Sequence, residues 1–125
     1  MHFFLTLFVS VILAFSQSSE AAFTNVEQAI NNSDAAKVVS YGKDKILLQI
    51  QGKEGVYAQA QATQLLRDFF TRKPVSSFRF TFKSKATEDA PLTTGTYNSK
   101  GESFRITIKW KRQNTDIRIE SISIE

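Results

Sequence analysis

Cysteine is missing from the 125 residues, and histidine and methionine occur once each, at His2 and Met1. If the first residues are removed, as the next paragraph expects, the mature chain has none of the three. No disulfide can then staple it, so stability must come from its core. A chain without Cys and His cannot form a zinc finger, a Cys–His or Ser–His nucleophile pair, or a histidine metal site. Haem held by His, Cys or Met is excluded likewise. The carboxylates do not fill the gap. Glu88 and Asp89 are adjacent in "KATEDAP", but a Ca²⁺ site needs about 6–8 oxygen ligands, and this spacing reads as a solvated loop. No metal or other cofactor is implied.

Charge is scarce at the N-terminus. Phe3 to Phe15 is an uncharged apolar run, of secretory-signal length and shorter than the ~20 residues that span a bilayer. Small residues follow, so cleavage is expected after Ser16 or after Ala21. Residues 1–21 are therefore assigned as a signal peptide and 22–125 as one domain. Residues before about Phe23 are expected not to pack, and no membrane span is expected after signal removal. With no cysteine for a lipid anchor, the expected location is secreted, in the periplasm. Loss of Glu20 with the signal raises the formal net charge by one from +4, a mild bias toward anionic partners.

The rest of the chain alternates two periodicities. Thr24 and Glu27 are spaced as a capping box ahead of Val26, Ala29 and Ile30. Ser33 or Asp34 can cap a second short helix, "AAKVVSYG", with Gly42 as its stop. In "DKILLQIQG", Ile46, Leu48 and Ile50 alternate with Leu47, Gln49 and Gln51, a half-buried strand. A long helix is predicted from about Ala58 to Lys73. Ala62, Leu65, Leu66, Phe69 and Phe70 form its apolar face, and Pro74 ends it. On its polar side Asp68 and Arg72 form an i,i+4 pair.

Four strands follow. Phe78, Phe80 and Phe82 share one face of "SFRFTFKS", against Arg79, Thr81 and Lys83. Gly95 in "LTTGTYNS" suggests a bulge or a close backbone approach. "NSKG" and "QNTD" are turns. Phe104, Ile106, Ile108 and Trp110 alternate with Arg105, Thr107, Lys109 and Lys111. In "IRIESISIE" the parity slips between Ile117/Ile119 and Ile122/Ile124, so a bulge is expected near Glu120 and Ser121.

The order is helix, helix, strand, long helix, four antiparallel strands. An α+β architecture with a strongly bent antiparallel sheet around the long helix buries every apolar stripe. This order resembles the cone of nuclear transport factor 2-like proteins. The run "GKEGVYAQAQATQLLRDFFTRKPVSSF" (Gly52–Phe78), with "GTYNSKGESFRITIKWKR" and "IRIESISIE", is similar to the small secreted bacterial family called domain of unknown function 4783. The resemblance spans roughly Phe23 to Glu125. It departs at Ala58, where the family pattern often has a helix-capping serine. It implies the cone fold but no activity. The Asp–His pair common to hydrolases and isomerases on this fold cannot exist here.

Two residue sets are candidate sites. Tyr41, Tyr57, Phe69, Phe80 and Trp110 could line the cone, with tyrosine hydroxyls orienting a small apolar ligand. Core packing is the competing role for these rings. Arg79, Lys83, Arg105, Lys109, Lys111 and Arg118 fall on outward positions of three strands, a basic face suited to an acidic protein or envelope polymer. No aromatic is expected among them, which argues against nucleic acid. The expected protein is a binding or interaction module, monomeric or homodimeric, without a recognisable catalytic site. The alternative is a carrier or enzyme that uses the cone through Tyr41 or Tyr57 and a buried carboxylate.

Overall fold

The structure is a computed structural model that describes residues 19–85 and 87–125. Most of the expected signal segment, residues 1–18, thus lies outside the described residues. Helix α1 is Ser19–Asn31, and so begins ahead of the Thr24 cap that the capping-box reading gave it. Glu20 lies in its first turn, where an acid suits the positive end of the helix. Thr24 is therefore an exposed residue inside the helix, not its cap, and Glu27 is free for another role. Ala22 also packs against the core, so packing begins ahead of Phe23.

Helix α2, Ala35–Ser40, starts where Asp34 accepts the Lys37 N–H at 3.0 Å. It closes on Tyr41 rather than Gly42, and Gly42 opens strand β1, Gly42–Ile50. Ile46 and Leu48 are buried and Leu47 is exposed, as alternation required. Strand β2, Lys53–Ala58, was not expected. It returns from β1 through Gln51 and Gly52, both at positive φ, a two-residue turn whose backbone twist matches the flanking strands. Helix α3 is Gln59–Arg72. Its first residue is anchored from outside, because Gln59 Nε2 donates to the carbonyls of Gly42 and Lys43 at 3.0 and 3.2 Å. Ala58 supplies no side-chain cap.

Strands β3 (Ser77–Lys83), β4 (Leu92–Ser99), β5 (Glu102–Gln113) and β6 (Asp116–Ile124) complete the fold. The six strands form one sheet in the order β2-β1-β6-β5-β4-β3. All neighbours are antiparallel except β1 and β6, which run parallel. The two ends of the chain's strand order thus meet inside the sheet.

Two bulges set which side chains face inward. On β6, Ile119 pairs with Trp110 and Ser121 with Lys109, which leaves Glu120 as the extra residue. Ile117, Ile119, Ile122 and Ile124 are consequently all buried. On β3, Phe80 pairs with Gly95 but Phe82 pairs with Thr94, leaving Thr81 extra. That shift reverses the expected parity beyond Phe80. Phe82 joins the outer face, 52% exposed, and Lys83 falls beside the buried Thr93, on the opposite side from Arg79.

The helices cover the inner face, and aromatic rings fill the space between. Phe69 is the hub, with ring centroids 5.4 Å from Tyr97 and 5.3 Å from Phe104. Phe23 meets Trp110 at 5.1 Å, and the Trp110 indole N–H donates to buried Thr93 at 3.1 Å. Each such ring contributes about 2–3 kcal/mol through burial. Gly95 fits because a Cβ there would lie 2.5 Å from the Arg79 carbonyl and 2.7 Å from Phe78 Cζ. The chain crosses β3 closely, as the glycine suggested.

The free border of β3 is closed by α1. Asn31 Oδ1 accepts the Phe78 N–H at 2.9 Å and its Nδ2 donates to the Phe78 carbonyl at 2.8 Å. One turn earlier, Glu27 Oε2 accepts the Phe80 N–H at 2.8 Å. Two side chains at i and i+4 thus stand in for a missing strand.

Candidate functional site

The five aromatic candidates do not line one open cavity. Phe69 and Trp110 are fully buried and Phe80 nearly so; these three are core. Tyr41 and Tyr57 are half-buried at its margin. The Tyr41 hydroxyl accepts from Asn25 Nδ2 at 3.0 Å and so joins α1 to the end of α2. Tyr57 lies elsewhere, in a recess of about 120 Å³ between the β1–β2 hairpin and α3. Leu48, Ile50, Lys53, Leu65, Asp68 and Arg72 also line it. Asp68 is the carboxylate that shares this recess, but it is exposed and ion-paired to Arg72 at 2.9 Å. Among the described residues the buried polar side chains are Thr93 and Ser99, so neither tyrosine has a buried carboxylate beside it.

Tyr97 escaped notice as a functional group, because its strand "LTTGTYNS" has weak alternation. It is fully buried against Phe69 and Phe70. Its hydroxyl donates to the Lys73 carbonyl at the end of α3, satisfying one of the carbonyls a helix terminus leaves open. Burial pushes its pKa from 10.0 up to about 12, since the phenolate would lose hydration. That tyrosine is a structural clasp and holds its proton across the physiological range.

The basic residues sit on the outer sheet face, with one exception. Arg79, Thr96 and Arg105 are direct neighbours on β3, β4 and β5. Lys109 follows on β5 beside Ser121, and Lys111 stands opposite Arg118. Arg118 also donates to the Ser40 carbonyl at 3.4 Å. Lys83 is removed from this group by the bulge at Thr81. The same bulge adds Phe82, which pairs with Thr94 and, through it, lies in line with Thr107 and Ser123. An exposed ring therefore borders the basic face, contrary to the alternation-based reading.

Acids are few on this surface. Glu120, raised on the β6 bulge, reaches Lys43 at 3.7 Å; both are partly exposed, so the pair contributes little. Glu125 extends the ladder beside Arg105, each backbone N–H donating to the other's carbonyl at 2.9 Å. Toward β2 the face becomes apolar, with Lys109, Ser121, Leu47 and Val56 in one row. A shallow groove of about 260 Å³ runs there, bordered by Gln49, Glu54, Thr107 and Ser123.

No group of three His, Cys, Asp or Glu gathers as a metal site among the described residues. None of their helices is long and apolar enough to cross a membrane.

Comparison with known proteins agrees with the architecture. A solved family member from Bacteroides ovatus is 25% identical, with a TM-score of 0.74 over 80% of this chain and 90% of that one. A second, from Bacteroides uniformis, is 22% identical, with a TM-score of 0.76 over 82% and 94%. An uncharacterised cystatin-fold protein from Novosphingobium aromaticivorans superposes with a TM-score of 0.67 at 13% identity, over 88% and 99%. No curated protein matches the chain. The profile of domain of unknown function 4783 matches residues 23–125. The long helix inside a curved sheet, the 22–25% identity to the two solved members and the profile match over residues 23–125 all agree: the chain belongs to the domain of unknown function 4783 family, on a nuclear transport factor 2-like, cystatin-like fold.

Proposed function

We infer that the protein is an exported, non-catalytic binding module that holds an acidic envelope polymer on the outer face of its sheet. The observation that carries this reading is the row Arg79–Thr96–Arg105, with Lys109 two outward positions along β5, past Thr107, and Phe82 at the border. Cations clustered on one face raise the local potential and attract polyanions, with a range of about 8 Å at physiological salt. Thr94, Thr96 and Thr107 between them offer hydroxyls to a flat ligand, and the Phe82 ring offers an apolar surface for a sugar. The interior is packed with Phe69, Tyr97, Phe104 and Trp110, which favours a surface role over cone chemistry. Export rests on the apolar run Phe3–Phe15 and the small residues that follow it.

The test is retention on immobilised polygalacturonate at about 50 and about 500 mM salt. Wild type should bind at low salt and elute at high salt. Arg79→Glu/Lys109→Glu should not bind, and Phe82→Ala should bind more weakly. Equal retention of wild type and the double variant at both salts overturns the reading. So does capture of acidic proteins from an envelope extract with no retention on the polymer, which transfers the face to a protein partner. Export is checked separately: protein recovered outside the cytoplasm should begin after Ser16 or Ala21, and an intact Met1 would refute it.

A further inference from the structure

We propose that the recess beneath the β1–β2 hairpin is a binding site for a small monocarboxylate carrying one ring or a short branched chain. It lies on the other side of the sheet from the basic face and does not depend on it. The inference begins with Gly55. In register it stands opposite Leu48, on the inward side of β2, two residues from Tyr57 on one side and Lys53 on the other. A Cβ at Gly55 would fall 2.6 Å from the Tyr57 hydroxyl oxygen and 2.7 Å from Cζ. The phenol therefore lies down along β2, over the place where a side chain would be, with its hydroxyl carried toward the Lys53 end. Only glycine permits that pose.

The consequence is a recess with two kinds of wall. Leu48, Ile50, Leu65 and the Tyr57 ring make an apolar floor, with Leu48 buried and Leu65 37% exposed. Leu65 was expected in the core as part of the α3 apolar face, yet it is half open here. That leaves an apolar surface uncovered. The rim is polar and mostly donating. Lys53 carries no ion pair to a described residue. Arg72 spends its Nε on Asp68 and one terminal nitrogen on Gln51 Oε1, at 2.9 and 3.3 Å. Two cations against one carboxylate leave the lining net positive. The Tyr57 hydroxyl adds a neutral donor on the same side as Lys53.

Size restricts the guest. About 120 Å³ is somewhat less than the roughly 150 Å³ cavity that accommodates benzene in an engineered protein. One ring or a branched chain of similar bulk fills it. Its carboxylate would project to the Lys53 and Tyr57 donors, where charge-assisted bonds are stronger than neutral ones. A ligand this small, in an open recess, binds with a dissociation constant on the order of 1 mM.

The experiment is a titration of the isotopically labelled mature chain with benzoate, followed by amide and methyl chemical shifts, with benzyl alcohol as the uncharged control. Saturable shifts should be confined to the lining residues, Leu48, Ile50, Lys53, Tyr57, Leu65, Asp68 and Arg72. Lys53→Glu, an exposed position, should weaken benzoate about tenfold and leave benzyl alcohol unchanged. Tyr57→Phe should weaken benzoate a few-fold. The Arg79→Glu/Lys109→Glu protein should bind benzoate normally, which separates this site from the outer face. Equal affinity for benzoate and benzyl alcohol, no effect of Lys53→Glu, or no saturable shift up to about 20 mM overturns the proposal.

Discussion

Asn31 holds Phe78 by both of its backbone groups, accepting the N–H at 2.9 Å and donating to the carbonyl at 2.8 Å. A helix side chain thus pairs with the border of the sheet as a neighbouring strand would. Asn31→Ala should lower stability by about 2 kcal/mol, the sum of two ordinary net hydrogen-bond contributions. The amide of Phe78 should also exchange with deuterium faster than its β3 neighbour Arg79, which faces β4. A urea midpoint unchanged from wild type would show that water replaces Asn31 without cost.

Phe69 and Trp110 are fully buried and in ring contact with neighbours from other elements. Either one changed to Ala should cost about 3–5 kcal/mol. The Trp110 variant also strands the Thr93 hydroxyl. Urea unfolding measures both, and a loss under about 1 kcal/mol would place that ring outside the core.

Gly95→Ala should destabilise by about 1–3 kcal/mol through overpacking, because the new methyl meets the Arg79 carbonyl, which is backbone and cannot rotate away. Phe78→Leu in the same chain relieves only the ring contact, so it should recover part of the loss at most. Full recovery would assign the clash to the ring alone.

Tyr97 makes stability depend on alkaline pH. Its folded pKa, about 12, stands above the ordinary 10.0. Above pH 10 the unfolded chain releases this proton while the folded chain keeps it. The tyrosine's contribution is therefore whole below pH 10 and is lost progressively up to about pH 12, at no more than about 1.4 kcal/mol per pH unit. Urea midpoints of wild type and Tyr97→Phe between pH 8.5 and 11.5, about the range needed, check this. The wild-type curve should fall more steeply, and parallel curves would disprove the assignment.

Periodicity revealed elements whose side chains meet one partner. The Glu120 bulge was readable because four isoleucines on β6 demanded burial and only an extra residue reconciles their parity. Gly95 was readable for the same reason, as an unlikely residue in a strand. Strand β2 was not, since its inward positions are Lys53, Gly55 and Tyr57 and its outward ones Glu54 and Val56, with no apolar alternation to detect. The β3 bulge was hidden because Phe82 looked like the third member of an inward series; its exit follows from pairing with Thr94, which local sequence does not encode. The outward placement of Arg105, Lys109 and Lys111 on β5, and of Arg118 ahead of the β6 bulge, followed from parity, which failed at Lys83, past the β3 bulge. The recess depends on the Gly55–Tyr57 pose and on Leu65 being uncovered, both consequences of β2. Missing that strand meant missing the site.

Glu27 and Asn31 bond β3 at Phe78 and Phe80, whereas the other border, β2, carries Val56 at 64% exposure. Were two chains to join β2 to β2, each far border of the resulting sheet would carry α1 against β3 at Phe78 and Phe80. Growth into a fibre needs a second open border on every unit. Here the Phe78 and Phe80 part of that border would open only when α1 lets go of β3. Two side chains on one helix would therefore act against unlimited edge pairing.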